Sequence, residues 1–165
     1  MFKKILVPVD GSDSSLIAAE TAANIAVKYE GIIKLLYVVR PYIVQYPESN
    51  AGIGSPEALA PAGAVELGKA VLERIKKEIS ATNVSVETEL TYGNPAQMTV
   101  STANAGNYDL IVMGSRGITG LTGSLIGSVS QSVVHTAPCP VLLTRLNKEK
   151  YKVIKSIPAD NQIYL

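Results

Sequence analysis

A chain of 165 residues with 15 basic and 14 acidic side chains carries a formal net charge of +1, which gives no electrostatic case for a nucleic-acid partner. An apolar fraction of 47% supports the core of one domain, and a single cysteine excludes a disulfide framework or a cysteine-based metal cluster. No stretch approaches the roughly 20 apolar residues of a membrane span, and Pro8 and Asp10 stop the first apolar run as in a strand rather than a secretory signal, so a cytoplasmic location is expected.

Residues 2–9 read as a buried strand, with Pro8 near the carboxyl end where the ladder finishes. Gly11-Ser12-Asp13-Ser14-Ser15 supplies cap residues and early acidic charge for a helix to about residue 29, with Leu16, Ala19, Ala23 and Ala26 on one stripe. Gly31 closes it before a second buried strand over 32–39. From 40 to 63 the pattern dissolves among Pro41, Pro47, Pro56, Pro61, Gly52, Gly54 and Gly63. A loop of that length reads as a lid over a ligand or as a disordered insertion. Helical spacing returns over 64–80, with Ala64, Gly68, Leu72, Ile75 and Ile79 facing one way. Residues 83–92 alternate, as a strand wet on one side and hence at a sheet edge. Gly93-Asn94-Pro95 turns into a helix that Gly106-Asn107 ends. The unbroken apolar run 109–113 predicts a buried parallel strand, a helical turn follows at 132–135, and 139–146 forms a fifth strand. Strands alternating with helices imply an open parallel sheet with helices on both faces.

The chemistry concentrates after the 109–113 strand. The spacing there is Gly114-x2-Gly117-x9-Gly127-Ser128. Glycines let backbone approach a bulky polyanion, and a helix start offers unpaired N–H groups and a positive dipole end. A Walker loop is excluded because no lysine occurs between Lys77 and Lys148. A dinucleotide fingerprint is excluded because Asp10-Gly11-Ser12-Asp13 holds one glycine only. The alternative is a flexible surface loop with chance glycines, Gly120 and Gly123 among them. Asp10 reads as a cap or a ligand residue, and Ser128 as a phosphate contact or as a capping box with Gln131. Arg116 is the one cation between Lys77 and Arg145, able to meet phosphate charge or simply face solvent. Cys139 reads as a small buried residue and His135 as a surface residue near a helix end.

These residues resemble the universal stress protein family, in its ATP-binding subgroup. Besides the glycine spacing, Lys3-Lys4-Ile5-Leu6-Val7-Pro8-Val9-Asp10-Gly11-Ser12 resembles that family's first strand and its acidic end, and Leu35-Leu36-Tyr37-Val38-Val39 its second strand. Gly93-Asn94-Pro95 is similar to its Gly-x-Pro turn, and Cys139-Pro140-Val141-Leu142-Leu143 to its closing strand. The resemblance implies a single domain over 1–146 followed by an extension, 147–165. It implies a five-stranded, Rossmann-like sheet of the adenine nucleotide alpha hydrolase kind, in strand order 3-2-1-4-5, and a regulatory or stress-response module binding ATP with Mg2+. The implied binding set is Pro8, Val9, Asp10, Val38, Val39, Met113, Gly114, Ser115, Arg116, Gly117, Gly127, Ser128, Val129 and Ser130. Asp10 would sit on the nucleoside side and Val38 would offer its backbone to adenine. A homodimer through the last strand is implied, where Val141, Leu142 and Leu143 would otherwise form an exposed apolar edge. The apolar and basic extension is expected to pack across that partner. The rival readings are a slow ATPase or nucleotidyl-transfer enzyme and an interaction protein that binds no nucleotide.

Overall fold

A computed structural model of the chain describes residues 1–41, 60–116 and 126–145. Most of the expected 40–63 loop, Gly117 and the 147–165 extension therefore lie outside the described residues. Strand β1 (Lys4–Val9) leads into helix α1 (Asp13–Tyr29) and strand β2 (Ile32–Val39). Helix α2 (Ala64–Glu78), a short 3-10 turn (Ser80–Thr82) and strand β3 (Ser85–Tyr92) follow. Helix α3 (Pro95–Ala105), strand β4 (Leu110–Gly114), helix α4 (Ser128–Thr136) and strand β5 (Val141–Thr144) complete the order. All pairings are parallel, and the sheet runs β3-β2-β1-β4-β5. The expected strand order is therefore the observed one.

The unbroken apolar character of β1 and β4 has its cause in two cores, one on each face of the sheet. Ile5, Val7, Ile33, Leu35 and Val112 pack beneath α1 and α2, while Leu6, Leu36, Ile111 and Met113 pack with Ala96, Ala103 and Val133 of α3 and α4. Alanines 18, 19, 22, 23 and 26 are all buried and let α1 lie close on the central strands. Gly68 does the same for α2, where a Cβ would stand 2.6 Å from the Tyr37 ring.

The two edges differ. On β3 the alternation places Glu87 and Glu89 around Lys34, at 3.6 and 2.9 Å, and the Glu89 hydrogen bond holds the Lys34 ammonium charged. On β5, Leu142 is exposed, whereas Val141 and Leu143 pack against the second core, so only Leu142 of the three is an exposed apolar edge residue. Helix α4 begins before the turn expected at 132–135. The last residue of α1 is followed by Glu30 in the left-handed region, φ 50°, with Gly31 next. Gly31 is required instead by crowding, since a Cβ there would meet the Phe2 carbonyl oxygen at 2.7 Å.

Candidate functional site

Because every connection returns to the same end of a parallel sheet, the carboxyl ends of the strands and the first turns of the helices surround one crevice. It opens where β1 and β4 diverge, the switch point at which open sheets bind ligands. The cavity measures about 460 Å³. Pro8, Val9 and Asp10 reach it from β1, Val38 and Val39 from β2, and Met113 and Gly114 from β4. Arg116 and the start of α4 (Gly127, Ser128, Val129, Ser130) complete the group of expected residues that line it. Ser115 does not line it. Buried, it donates its N–H to the Thr144 carbonyl at 2.8 Å and accepts the Gly127 N–H at 2.7 Å.

The start of α4 is open. Gly127 is its N-cap with φ −73° and ψ 158°, no side chain among the described residues caps it, and the first helical bond runs from Gln131 N–H to Gly127 carbonyl at 2.9 Å. Ser128 is thus the first helical residue, which corrects the capping-box alternative with Gln131. Among the described residues no backbone carbonyl takes the N–H groups of Ser128, Val129 and Ser130, which lie at the positive end of the helix dipole beside the crevice. The Ser130 hydroxyl is differently employed. It donates to the Gly114 carbonyl at 2.8 Å, which ties α4 to the end of β4 and commits its only proton.

The start of α1 is closed. Asp10 Oδ1 accepts the Ser12 N–H at 3.0 Å and the Ser12 hydroxyl at 2.6 Å. Ser12 Oγ in turn accepts the Ser15 N–H at 3.2 Å, and the Ser15 hydroxyl donates to the Ser12 carbonyl at 2.8 Å. Both expected roles of Asp10 are compatible with this position: it supports the cap and faces the crevice.

Gly114 is glycine for a reason the loop pattern conceals. It turns toward α1, and a Cβ there would collide with the Ser14 hydroxyl and lie 2.9 Å from Ser14 Cβ and 3.0 Å from its carbonyl carbon. Its small size serves helix–strand packing. The Ser14 hydroxyl, pressed into this contact, is buried without a hydrogen-bond partner.

On β2, Ile32 N–H donates to the Lys3 carbonyl at 2.8 Å and Val39 carbonyl accepts from Gly93 N–H at 2.9 Å. In a parallel strand the polar groups of successive residues face opposite neighbours, so Val38 turns its carbonyl toward the β1 side. Pairing with β1 ends there at Val9 opposite Tyr37, and the Val38 carbonyl looks into the crevice. Tyr37 lines the same wall, and burial, reinforced by the Asp10 carboxylate, pushes its phenol pKa up, so it stays neutral.

Several lining residues were not foreseen: Ser15, Leu36, Tyr37, Arg40, Pro61, Ala64, Pro95 and Thr99. The signal for some of them was present. Helices that begin at the carboxyl edge must bring their first turns to the crevice, which accounts for Ser15, Ala64 and Pro95. Arg40, one residue past β2, adds a second cation to the lining besides Arg116. Among the described residues no group of three or more His, Cys, Asp or Glu side chains could hold a metal ion, and no helix is long and apolar enough to cross a membrane.

Comparison with known proteins gives concordant results. The model of the Universal stress protein family matches residues 1–145. A universal stress protein of Methanocaldococcus jannaschii is 38% identical over 152 residues, covering 91% of this chain and 86% of that protein. The solved structure of a second protein of that organism superposes with a TM-score of 0.70 at 28% identity, covering 89% of this chain and 98% of the other. A universal stress protein solved in complex with cAMP shares the fold, with a TM-score of 0.65 at 24% identity over 86% of this chain and 96% of that one.

Proposed function

The chain belongs to the universal stress protein family, and from that premise we propose that its crevice binds ATP as a regulatory module that retains the nucleotide rather than turning it over rapidly. The observation that carries this reading is the open start of α4. A helix whose first amides lack a cap, facing a cavity of about 460 Å³, is suited to phosphate oxygens. The amides of Ser128, Val129 and Ser130 take the phosphates, Gly127 leaves them room, and Arg116 adds charge. On the opposite wall the Val38 carbonyl accepts a hydrogen bond from the 6-amino group of adenine, which guanine, with an acceptor at that position, does not supply. Asp10 stands between the two walls at the ribose.

Mg2+ would arrive on the phosphates, since Asp10 is the one carboxylate among the described lining residues. Fast phosphoryl transfer needs an oriented water and a base or side-chain-held metal beside the phosphates. Asp10 already accepts two hydrogen bonds from Ser12 and lies on the nucleoside side. Release of phosphate well below about one per second is therefore expected, against the 1–10³ per second of ordinary enzymes. Millimolar Mg-ATP should raise the melting temperature of ligand-free protein, by about 2.7 kcal/mol of stability at a hundredfold excess over the dissociation constant. No shift would contradict the reading.

The same reading includes a cytoplasmic homodimer through β5, supported by its outer edge, unpaired among the described residues, and by exposed Leu142. Leu142→Asp should yield monomer by light scattering without unfolding. Val141 and Leu143 are poorer probes because both pack on the core.

A further inference from the structure

Arg40 is exposed, lines the crevice and forms no ion pair among the described residues. Its direction follows from its neighbours. Along β2, Leu36 lies in the core beneath α3 and α4, and Val38 packs against that same core. Arg40 precedes Pro41, and the residue before a proline is held extended. The alternation of the strand therefore continues by one step, and Leu36, Val38 and Arg40 project to the same side.

Arg40 also stands at the nucleoside end of the crevice. β1 lies between β2 and β4, so the carboxyl ends of those two strands are about 10 Å apart at the usual strand spacing. The phosphate end, at β4 and α4, already has Arg116 and three open amides. A base whose edge meets the Val38 carbonyl lies roughly where β1 would have continued. One ring face then looks to the α3 side, where Arg40 projects, and the other to the α2 side, where Pro61 and Ala64 line the wall.

We propose that Arg40 is a positioning residue that stacks its guanidinium on the nucleobase, closing the face left open by Pro61 and Ala64. The inference rests on the ATP reading above and adds to it the residue that orients the base. A guanidinium is planar, weakly hydrated and stacks on aromatic faces, which a lysine ammonium does not do in the same way.

Calorimetric titration of AMP, ADP and ATP into wild type, Arg40→Ala and Arg40→Lys tests it. Stacking predicts that both variants lose about tenfold in affinity, by the same factor for all three nucleotides. Their ligand-free melting temperatures should match wild type, since Arg40 is exposed. A loss that grows from AMP to ATP and is restored by lysine would make Arg40 a phosphate contact and overturn the proposal. Unchanged affinity in Arg40→Ala, with wild type binding normally, would overturn the stacking role alone. Wild type that binds none of the three would remove the ATP reading, and the role of Arg40 with it.

Discussion

Helices α1 and α4 begin at the same crevice from opposite faces of the sheet, and they treat their first amides in opposite ways. At α1, Asp10 and Ser12 form a chain of hydrogen bonds that satisfies the helix start from within. At α4 the N-cap is Gly127, whose extended backbone would accept any side chain, yet among the described residues no side chain caps it. A side-chain cap is worth about 1 kcal/mol over alanine but only about a few tenths over glycine. Glycine at α4 therefore leaves three N–H groups for an anion at little cost, while α1 contributes stability and the Asp10 carboxylate. The difference separates a structural helix start from a binding one, although both are rich in serine and glycine.

The comparison can be broken from either side. The largest effect should come from Gly114→Ala, which drives a Cβ into Ser14 of α1 and should cost about 1–3 kcal/mol of stability in chemical denaturation. Ser14→Gly in the same chain should recover part of that loss by removing the colliding side chain. Next, Gly127→Asp gives α4 the kind of cap that α1 has. It should stabilise the ligand-free protein by only about a few tenths of a kcal/mol, since glycine is itself a tolerable cap, and markedly reduce the thermal shift with ATP. Ser12→Ala opens α1 in turn and should cost about 1 kcal/mol while leaving the ATP-induced shift in place.

The smallest effect concerns the body of α1. Burial first, and Glu78 second, raise the Glu20 pKa above its ordinary 4.5. A carboxyl raised on folding penalises the fold once it ionises, so the penalty is absent below that ordinary value and complete above the raised one. Glu20→Gln should therefore raise the melting temperature slightly at pH 7 and leave it unchanged at pH 4.

The fold was legible because its central strands are buried on both faces and leave mostly apolar runs: residues 32–39, interrupted only by Lys34, mark β2 as it stands, and the alternation over 83–92 marks an edge. Strand order came from the family resemblance, since spacing carries no information about which parallel strands are neighbours. Most of the expected residues line one crevice, Ser115 does not and Gly117 lies outside the described residues, and individual roles were less legible. Gly114 looked like a loop glycine and answers to Ser14, a contact between residues a hundred positions apart in sequence. Ser115 sat inside the motif and turns away from the crevice, because its backbone is shared between Thr144 and Gly127. Arg40 gave no signal in the glycine pattern, because its relevance depends on β2 ending beside β1.

Phosphate binding at α4, with Gly127 as its N-cap, is open to isothermal titration of Mg-ATP into ligand-free wild type and Gly127→Asp. Wild type should bind one ATP per chain and the variant should lose at least about tenfold in affinity, because its carboxylate would both occupy the amides and repel the phosphates. Equal binding by the two proteins, with the variant folded and more stable, would contradict it.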